Sequence, residues 1–285
     1  MLVLRERLFP DAASSASFRG GGPGVYPLRV TISVVLITQD EEANLPGTLE
    51  SVMPLVQDGR GEIIVVDSGS TDRTLEIARS FGAKVFVEPW KGFAAQKNSA
   101  IDKASGDWVL QLDADETLEA ELAAELENAL QAAPAVVGFW IPRQNFFLGR
   151  WIKHGGFYPD PKLRLIRRGA GKFQEYGAHP TIQVNGRTSS LRSALIHNAY
   201  PTLRGYIAHM NSYSSTGAEV AVGQGRRSFN VLNIVVRPML TFTYNYFIRL
   251  GFLDGREGLL LHLYHAVYVS WKYSKAWELG RSENR

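Results

Sequence analysis

Two carboxylates stand two residues apart in Asp113-Ala114-Asp115-Glu116, directly after the apolar run Trp108-Val109-Leu110-Gln111-Leu112. At the end of a strand, residues i and i+2 point to the same side, so both carboxylates can reach one hard cation. Mg2+ and Mn2+ commonly bind through one or two carboxylates while bridging substrate phosphates. A bare pair of this kind arises often by chance, and the plain alternative is two solvated loop acids. Company decides in favour of chemistry: two more polar clusters, Thr38–Glu42 and Asp67–Asp72, each follow a short apolar run of the same type.

Asp67 closes the run Glu62-Ile63-Ile64-Val65-Val66. A carboxylate there can accept a base N–H or ribose hydroxyls; its structural alternative is a turn residue, a role that suits Ser70 and Asp72 better. Thr38, Glu41 and Glu42 open a helix, where capping and dipole complementation compete with ligand contact, and for Glu42 capping is the better reading. Gln96 and Lys97, in Trp90-Lys91-Gly92-Phe93-Ala94-Ala95-Gln96-Lys97-Asn98, can reach phosphate oxygens; a solvent-facing lysine is the alternative.

These clusters need a scaffold, and the pattern supplies one. Short β-branched runs at Thr31–Ile37, Glu62–Asp67, Lys84–Val87 and Trp108–Leu112 read as buried strands. Helical spacing over Glu41–Val56, Arg73–Phe81, Ala94–Ala104 and Leu118–Ala132 alternates with them. Alternating β and α of these lengths predicts an α/β fold, a mostly parallel sheet flanked by helices, whose ligands bind beyond the carboxyl ends of the strands. Beyond residue 136 the chain turns to short strands such as Val136–Pro142, Leu163–Ile166 and Thr181–Val184, and then to helix again over 203–285. Residues 1–29, rich in Ser, Gly and Pro, read as a disordered extension.

Composition removes whole classes. The chain has 285 residues and no cysteine, which excludes disulfides, thiolate metal sites and thiol nucleophiles. Its six histidines fall without HExxH or HxH spacing, so a histidine-rich metal site is not expected. No stretch offers the apolar length of a membrane span, and the charged start does not read as a signal peptide, so a cytoplasmic protein is expected. Residues 1–139 carry 11 Lys and Arg against 21 Asp and Glu, whereas residues 140–285 carry 20 against 7. Such an imbalance points the back half toward an anionic partner.

Three segments in order, ISVVLITQDEEANL, VVDSGSTDRT and GFAAQKNSAIDKASGDWVLQLDADE, resemble the nucleotide-binding half of family 2 glycosyltransferases. PKLRLIRRGAGKF, LIHNAY, RPMLTFTYNYFIRLGFLDGREGLLL and WKYSKAWE are similar to the branch that builds the lipopolysaccharide inner core by adding glucose or a related hexose to heptose. The resemblance implies a GT-A-like fold, with a catalytic domain over 30–200 (nucleotide-sugar half 30–135, acceptor half 136–200) and a helical C-terminal region over 201–285. It implies an inverting hexosyl transfer from a nucleotide-diphosphate sugar to a lipopolysaccharide core or related glycan. Asp113 and Asp115 would hold Mg2+ or Mn2+ on the donor diphosphate. Thr38, Glu41, Asp67, Gln96, Lys97 and Asp113 would contact the donor.

Two departures matter. Gln39 stands where relatives often carry an aromatic residue, and Ser68 where they carry a second Asp, which leaves the nucleotide base open. Relatives also carry a His-Glu pair whose Glu is a natural general base, and here His179 is followed by Pro180. Glu175, His179 and Asp160 are the remaining candidate bases, with a structural hydrogen bond as the alternative for His179. A catalytically impaired, glycan- or nucleotide-sugar-binding homologue is the second reading. A nucleotidyltransferase would need a Gly-rich basic loop after the first strand, and ITQDEEANL is acidic. Arg237 to Gly280 combines Arg237, Arg249, Arg256, Lys272 and Lys275 with many aromatics. That mixture suits an anionic membrane surface on the cytoplasmic side, beside ordinary packing. No nucleic-acid recognition pattern is present.

Overall fold

The computed structural model describes residues 30–132, 135–176 and 179–282. The extension expected over 1–29 lies outside the described residues. Four parallel strands, β1 (Ile32–Thr38), β2 (Gly61–Asp67), β3 (Lys84–Val87) and β4 (Trp108–Leu112), run in the order β4-β1-β2-β3. Helices α1 (Leu45–Val56), α2 (Thr74–Ser80) and α3 (Phe93–Asp102) connect them, and α4 (Ala120–Ala132) follows. The chain leaves β1 toward β2 on one side and returns through α3 to β4 on the other. The reversal puts Thr38, Asp67 and the segment after Leu112 at one end of the sheet, as parallel order requires.

Alternation along each strand sorts the core. Val34 and Leu36 of β1 pack with Leu45, Leu49 and Val52 of α1, Ala78 of α2 and Leu122 and Leu126 of α4. Val35, between them, faces the other way and joins Ala94, Ala100 and Ile101 of α3. The helix expected from Glu41 begins only at Leu45. Asp40 takes a left-handed conformation, φ 54°. The N–H groups of Asp40, Glu41 and Glu42 turn sideways and donate to Ser70 Oγ (2.8 Å), Thr74 Oγ1 (2.7 Å) and Asp72 Oδ2 (3.0 Å). Backbone donors that a helix would leave unpaired in its first turn are used here to tie two loops together.

The sheet is seven strands wide and mixed. After the two-residue strand β5 (Glu116–Thr117), the chain forms β6 (Val136–Ile141), β7 (Arg143–Phe147) and β8 (Arg150–Trp151). Strand β9 (Lys162–Arg167) then inserts antiparallel between β4 and β6. Strands β10 (Gly171–Tyr176) and β11 (His179–Val184) pair as a hairpin that covers the α3 side through Phe173 and Ile182. Strand β12 (Arg187–Ser190) extends the edge beside β6, and β13 (Leu195–Tyr200) centres a second sheet of order β5-β13-β7-β8.

The C-terminal region comprises α5 (Leu203–Gly223), α6 (Arg237–Thr243) between two π-helical turns, Leu232–Val236 and Tyr244–Ile248, a 3-10 turn at Gly251–Asp254, and α7 (Gly255–Ser282). Ala218, Ala221 and Val222 of α5 pack against Ala276 of α7. Lys275 turns inward, reaching Asn211 O, Ser214 Oγ and Ser215 Oγ at 2.7–2.9 Å. Tyr206 stacks edge-on with Phe147 at 5.1 Å and joins Leu261 and Ile152, which fastens the helices to the second sheet. Buried Asp254 accepts the N–H groups of Lys153 (3.2 Å) and His154 (2.8 Å). No helix among the described residues is long and apolar enough to cross a membrane.

His262 of α7 is buried with no hydrogen-bond partner on either ring nitrogen among the described residues. Burial and neighbouring His265, opposed by Asp254, push its pKa down from 6.5 to about 4. The folded value lies below the unfolded one, so the unfolded chain takes up the proton first as pH falls. Stability from this group is therefore present above pH 6.5 and is lost toward pH 4; His265, also lowered by burial, adds to the same trend. Carboxylates held low in the folded chain add to the fall only at the acid end of this range, and Glu41, whose carboxyl is raised by burial, opposes it there. The melting midpoint is expected to fall between pH 6.5 and 4.5, with a smaller slope in His262→Leu. A flat wild-type profile over that window would refute this account.

Candidate active site

Asp113 ends β4 inside a chain of opposite charges. Lys97 Nζ donates to Asp113 Oδ1 at 2.5 Å, and Arg164 NH2 donates to Asp113 Oδ2 at 2.6 Å. The same guanidinium reaches Glu116 Oε1 at 2.6 Å and also bonds the Gln111 amide oxygen. Arg143 NH1 donates to Glu116 Oε1 at 3.0 Å, and Arg143 NH2 to Asp160 Oδ2 at 2.5 Å. Lys162 closes the chain on Asp160 Oδ1 at 2.8 Å. Burial opposes ionisation of Asp113, yet Arg164 and Lys97 hold its carboxyl well below the ordinary range. Burial pulls Lys97 downward and Asp113 resists it. Arg164 is raised despite burial, by Asp113 and Glu116. Both Asp113 oxygens are thus engaged by cations, whereas Asp115 is not part of that chain.

Asp115 faces a different partner. Its Oδ2 lies 3.3 Å from His197 Nε2, on β13. His197 Nδ1 is 2.6 Å from Asn145 Oδ1, while the Asn145 amide donates to Phe157 O (2.9 Å) and Asp160 Oδ2 (3.2 Å). Two acceptors for the Asn145 nitrogen fix the amide's orientation, so its oxygen must accept and His197 Nδ1 must carry the proton. In the neutral ring, Nε2 then turns a lone pair toward a carboxylate oxygen. Two such atoms meet stably only with a proton or a metal cation between them. A carboxylate and an imidazole whose far nitrogen is hydrogen-bonded make a suitable donor pair for a divalent ion. A cavity of about 370 Å3 opens beside Asp115, lined in part by Asn44, Thr48, Thr117, Phe146 and Asn198.

The loops after β1 and β2 form a single unit. Buried Thr38 donates to Asp67 Oδ2 at 2.7 Å, and Ser70 Oγ donates to the same oxygen at 2.5 Å. Asp67 Oδ1 accepts the N–H groups of Gly69 (2.9 Å) and Ser70 (2.8 Å), a turn that requires φ +96° at Gly69. All four acceptor positions of the Asp67 carboxylate are therefore filled within the protein. The turn-holding role assigned above to Ser70 and Asp72 falls on Asp67 as well. Glu41 is half-buried and accepts from Asn44 at 2.9 Å; burial, with Asp115 and Asp113 nearby, raises its pKa against that bond. Gln96 is buried on α3, and neither end of its amide has a partner among the described residues.

The candidate bases separate. Asp160 accepts from Arg143, Asn145 and Lys162, and against burial Arg143 and Lys162 lower its pKa. A carboxylate so paired is a weak proton acceptor and suits an ion-pair role better than the base role expected of it. Glu175 stands opposite Pro180 and His179 opposite Tyr176, at the end of the hairpin where β10 leads into β11. The side chains of Glu175 and His179 lie outside the described residues.

Residues 33–195, more than half of the chain, match the family profile described as glycosyl transferase family 2. The chain is a family 2 glycosyltransferase. A lipopolysaccharide core biosynthesis glycosyltransferase, LpsC of Rhizobium meliloti, is 29% identical over 248 residues, covering 85% of this chain and 90% of LpsC. An uncharacterized glycosyltransferase of Rickettsia typhi is 31% identical over 269 residues, covering 87% of each. Among solved structures, a mannosyltransferase of Pyrobaculum calidifontis in complex with GDP-Man and Mn2+ shares the fold, with a TM-score of 0.52, 17% identity and 88% of each chain covered. The architecture of this glycosyltransferase is thus GT-A.

Four residues of the enzyme's site escape the sequence reading: Glu116, Arg143, Arg164 and His197. Arg164 leaves a signal, a charge in the middle of the apolar strand Leu163-Arg164-Leu165-Ile166, where an unpaired cation would be costly. His197 leaves less, because its partner Asp115 is distant in sequence. Removing the Arg164 guanidinium leaves buried Glu116 and half-buried Asp113 each short of a partner. Arg164→Met should lower unfolding free energy by about 3–5 kcal/mol in urea denaturation. Adding Glu116→Gln should recover part of that loss, and a single variant as stable as wild type would remove the network from the account.

Proposed function

We propose that this glycosyltransferase moves a hexose, with inversion, from a nucleotide-diphosphate sugar to a lipopolysaccharide core or related surface glycan, and that it depends on a divalent cation. The observation that carries the reading is the Asp115–His197 pair, a carboxylate oxygen and an imidazole nitrogen 3.3 Å apart at the strand end of a family 2 enzyme. The similarity to LpsC supports the acceptor class. A lipid-borne acceptor supports work at the cytoplasmic face of the plasma membrane.

The sequence reading makes Asp113 and Asp115 the ligands; with both Asp113 oxygens on Lys97 and Arg164, Asp115 and His197 would hold the cation instead. When bound, the cation neutralises the leaving diphosphate. An imidazole ligand favours Mn2+ over Mg2+. Lys97, Arg143, Arg164 and Lys162 already balance Asp113, Asp115, Glu116 and Asp160. A dication arriving with a doubly charged diphosphate keeps that balance, which supports joint binding of metal and donor. Thr38, Glu41 and Asp67 would shape the nucleoside pocket, Asp67 by ordering the Gly69–Ser70 turn. Gln96 and Lys97 would lie toward the donor, Lys97 steadying Asp113. In the transfer, the acceptor oxygen bonds the anomeric carbon as the bond to the diphosphate oxygen breaks, and the acceptor's proton passes to a base. Glu175 and His179 are the candidates for that base.

Pro180, opposite Glu175 in the hairpin, supports a second reading in which donor is bound without transfer. One titration distinguishes the two. UDP-, GDP-, ADP- and CMP-sugars are each added with Mn2+ or with EDTA, and melting is followed by transfer to a core oligosaccharide. One nucleotide class should raise the midpoint only with metal, by mass action. Asp115→Ala and His197→Ala should each abolish that shift and reduce transfer by at least about 100-fold. A metal-dependent shift without turnover favours the second reading, and full activity in both variants overturns the metal assignment.

A further inference from the structure

The segment from Leu232 to Ile248 is amphipathic the wrong way round. Its residues facing solvent include Leu232 (66% exposed), Val235, Met239 (64%), Leu240 (63%), Phe247 and Ile248 (67%). Its other face carries Arg237, which bonds the Tyr273 hydroxyl of α7, and buried Pro238. Ser270 of α7 donates to Ile234 O at 2.8 Å. A helix folded for water would turn these apolar side chains inward. The exposed positions form two adjacent rows, Val231, Val235, Met239 and Phe247, and Leu232, Val236, Leu240, Tyr244 and Ile248, along which residues recur in steps of four or eight, and an α-helix would drift off one line at that step. The two π-helical turns, at Leu232–Val236 and Tyr244–Ile248, add residues to each turn and keep the apolar line straight. The line continues past the helix through exposed Phe252 and Leu253.

Charge says what covers it. Between Gln224 and Arg256 the chain carries Arg226, Arg227, Arg237, Arg249 and Arg256 against a single acid, Asp254, which is buried. Arg226, Arg249 and Arg256 are exposed around the apolar line. A second copy of the chain docking on this face would bring these arginines against their own counterparts, which like-charge repulsion disfavours. An anionic lipid surface meets both features at once, acyl chains for the apolar line and phosphates for the arginines.

We infer that residues 229–253 form a monotopic membrane-docking strip that lies in the headgroup region of an anionic bilayer, with Leu232, Met239, Leu240, Phe247 and Ile248 in the acyl boundary. The inference deepens the reading of a membrane-borne acceptor and rests on it only for the purpose of docking. The strip is tied to the site: Asp254, at its end, holds the N–H groups of Lys153 and His154 in the loop that leads to Asp160.

Flotation of the full chain with phosphatidylcholine vesicles, with and without phosphatidylglycerol, tests it. Wild type should float with the anionic vesicles and less with the neutral ones. Leu240→Ser combined with Phe247→Ser should lower the bound-to-free ratio by at least about tenfold. Because both side chains are exposed, the melting midpoint and the metal-dependent donor shift should be unchanged in that variant. The inference is overturned if wild type floats with neither vesicle, if the double variant floats as well as wild type, or if light scattering finds a vesicle-free dimer that the double variant dissolves. Failure of the glycosyltransferase reading would appear separately, as the absence of any donor shift in wild type.

Discussion

The guanidinium of Arg164 ties the end of β4 to the second sheet from a strand that the ladder already holds beside β4. It lies on β9, touches Asp113 at the end of β4, and continues to Glu116 in the second sheet. An arginine in a sheet interior is tolerable only with its charge matched and most of its donors used. That requirement fixes the order in which the site is built. Asp113 must stay ionised to hold Arg164, Glu116 must be drawn in to share it, and Arg143 must follow Glu116. Asp160 then follows Arg143, and Asn145, bonded to Asp160, sets the ring of His197. One buried charge therefore orients an imidazole several links away, and the orientation turns Nε2 of His197 toward Asp115.

The donor-side loops obey a second constraint, saturation of backbone donors. Asp40, Glu41 and Glu42 give their N–H groups to side chains of the neighbouring loop, and Gly69 and Ser70 give theirs to Asp67. The two loops can only be ordered together. Ser68 joins this frame through its N–H, which donates to Thr38 O at 2.9 Å, while its hydroxyl has no partner among the described residues.

The parallel core was legible in the sequence because its strands are short, β-branched and separated by helices of ordinary length. Lys84–Val87 and Trp108–Leu112 match the observed strands residue for residue. The start of α1 was not, since Asp40–Asn44 has a capping composition and only the facing loop diverts its N–H groups. The place of β9 was not legible either: Leu163–Ile166 reads as a strand, but nothing local says that it runs antiparallel between β4 and β6. Asp113 and Asp115 stand out as neighbours in sequence, yet their different partners, cations for one and His197 for the other, depend on contacts 51 and 82 residues away along the chain. Spacing announces that a site exists. Long-range pairing decides what each member does.

The position of β9 also bears on how such enzymes diversify. It lies beyond residue 136, after the run of four parallel strands, but it is hydrogen-bonded to β4 and supplies the counter-charge of Asp113. The two halves are interleaved rather than joined end to end. A chimera cut between residues 135 and 136 would separate Arg164 from the carboxylates it evolved beside. A recombination seam that respects the charge network falls after Arg167. The hairpin and helices beyond that seam can vary without breaking the Arg164 ion pairs, provided β9 stays with the four parallel strands.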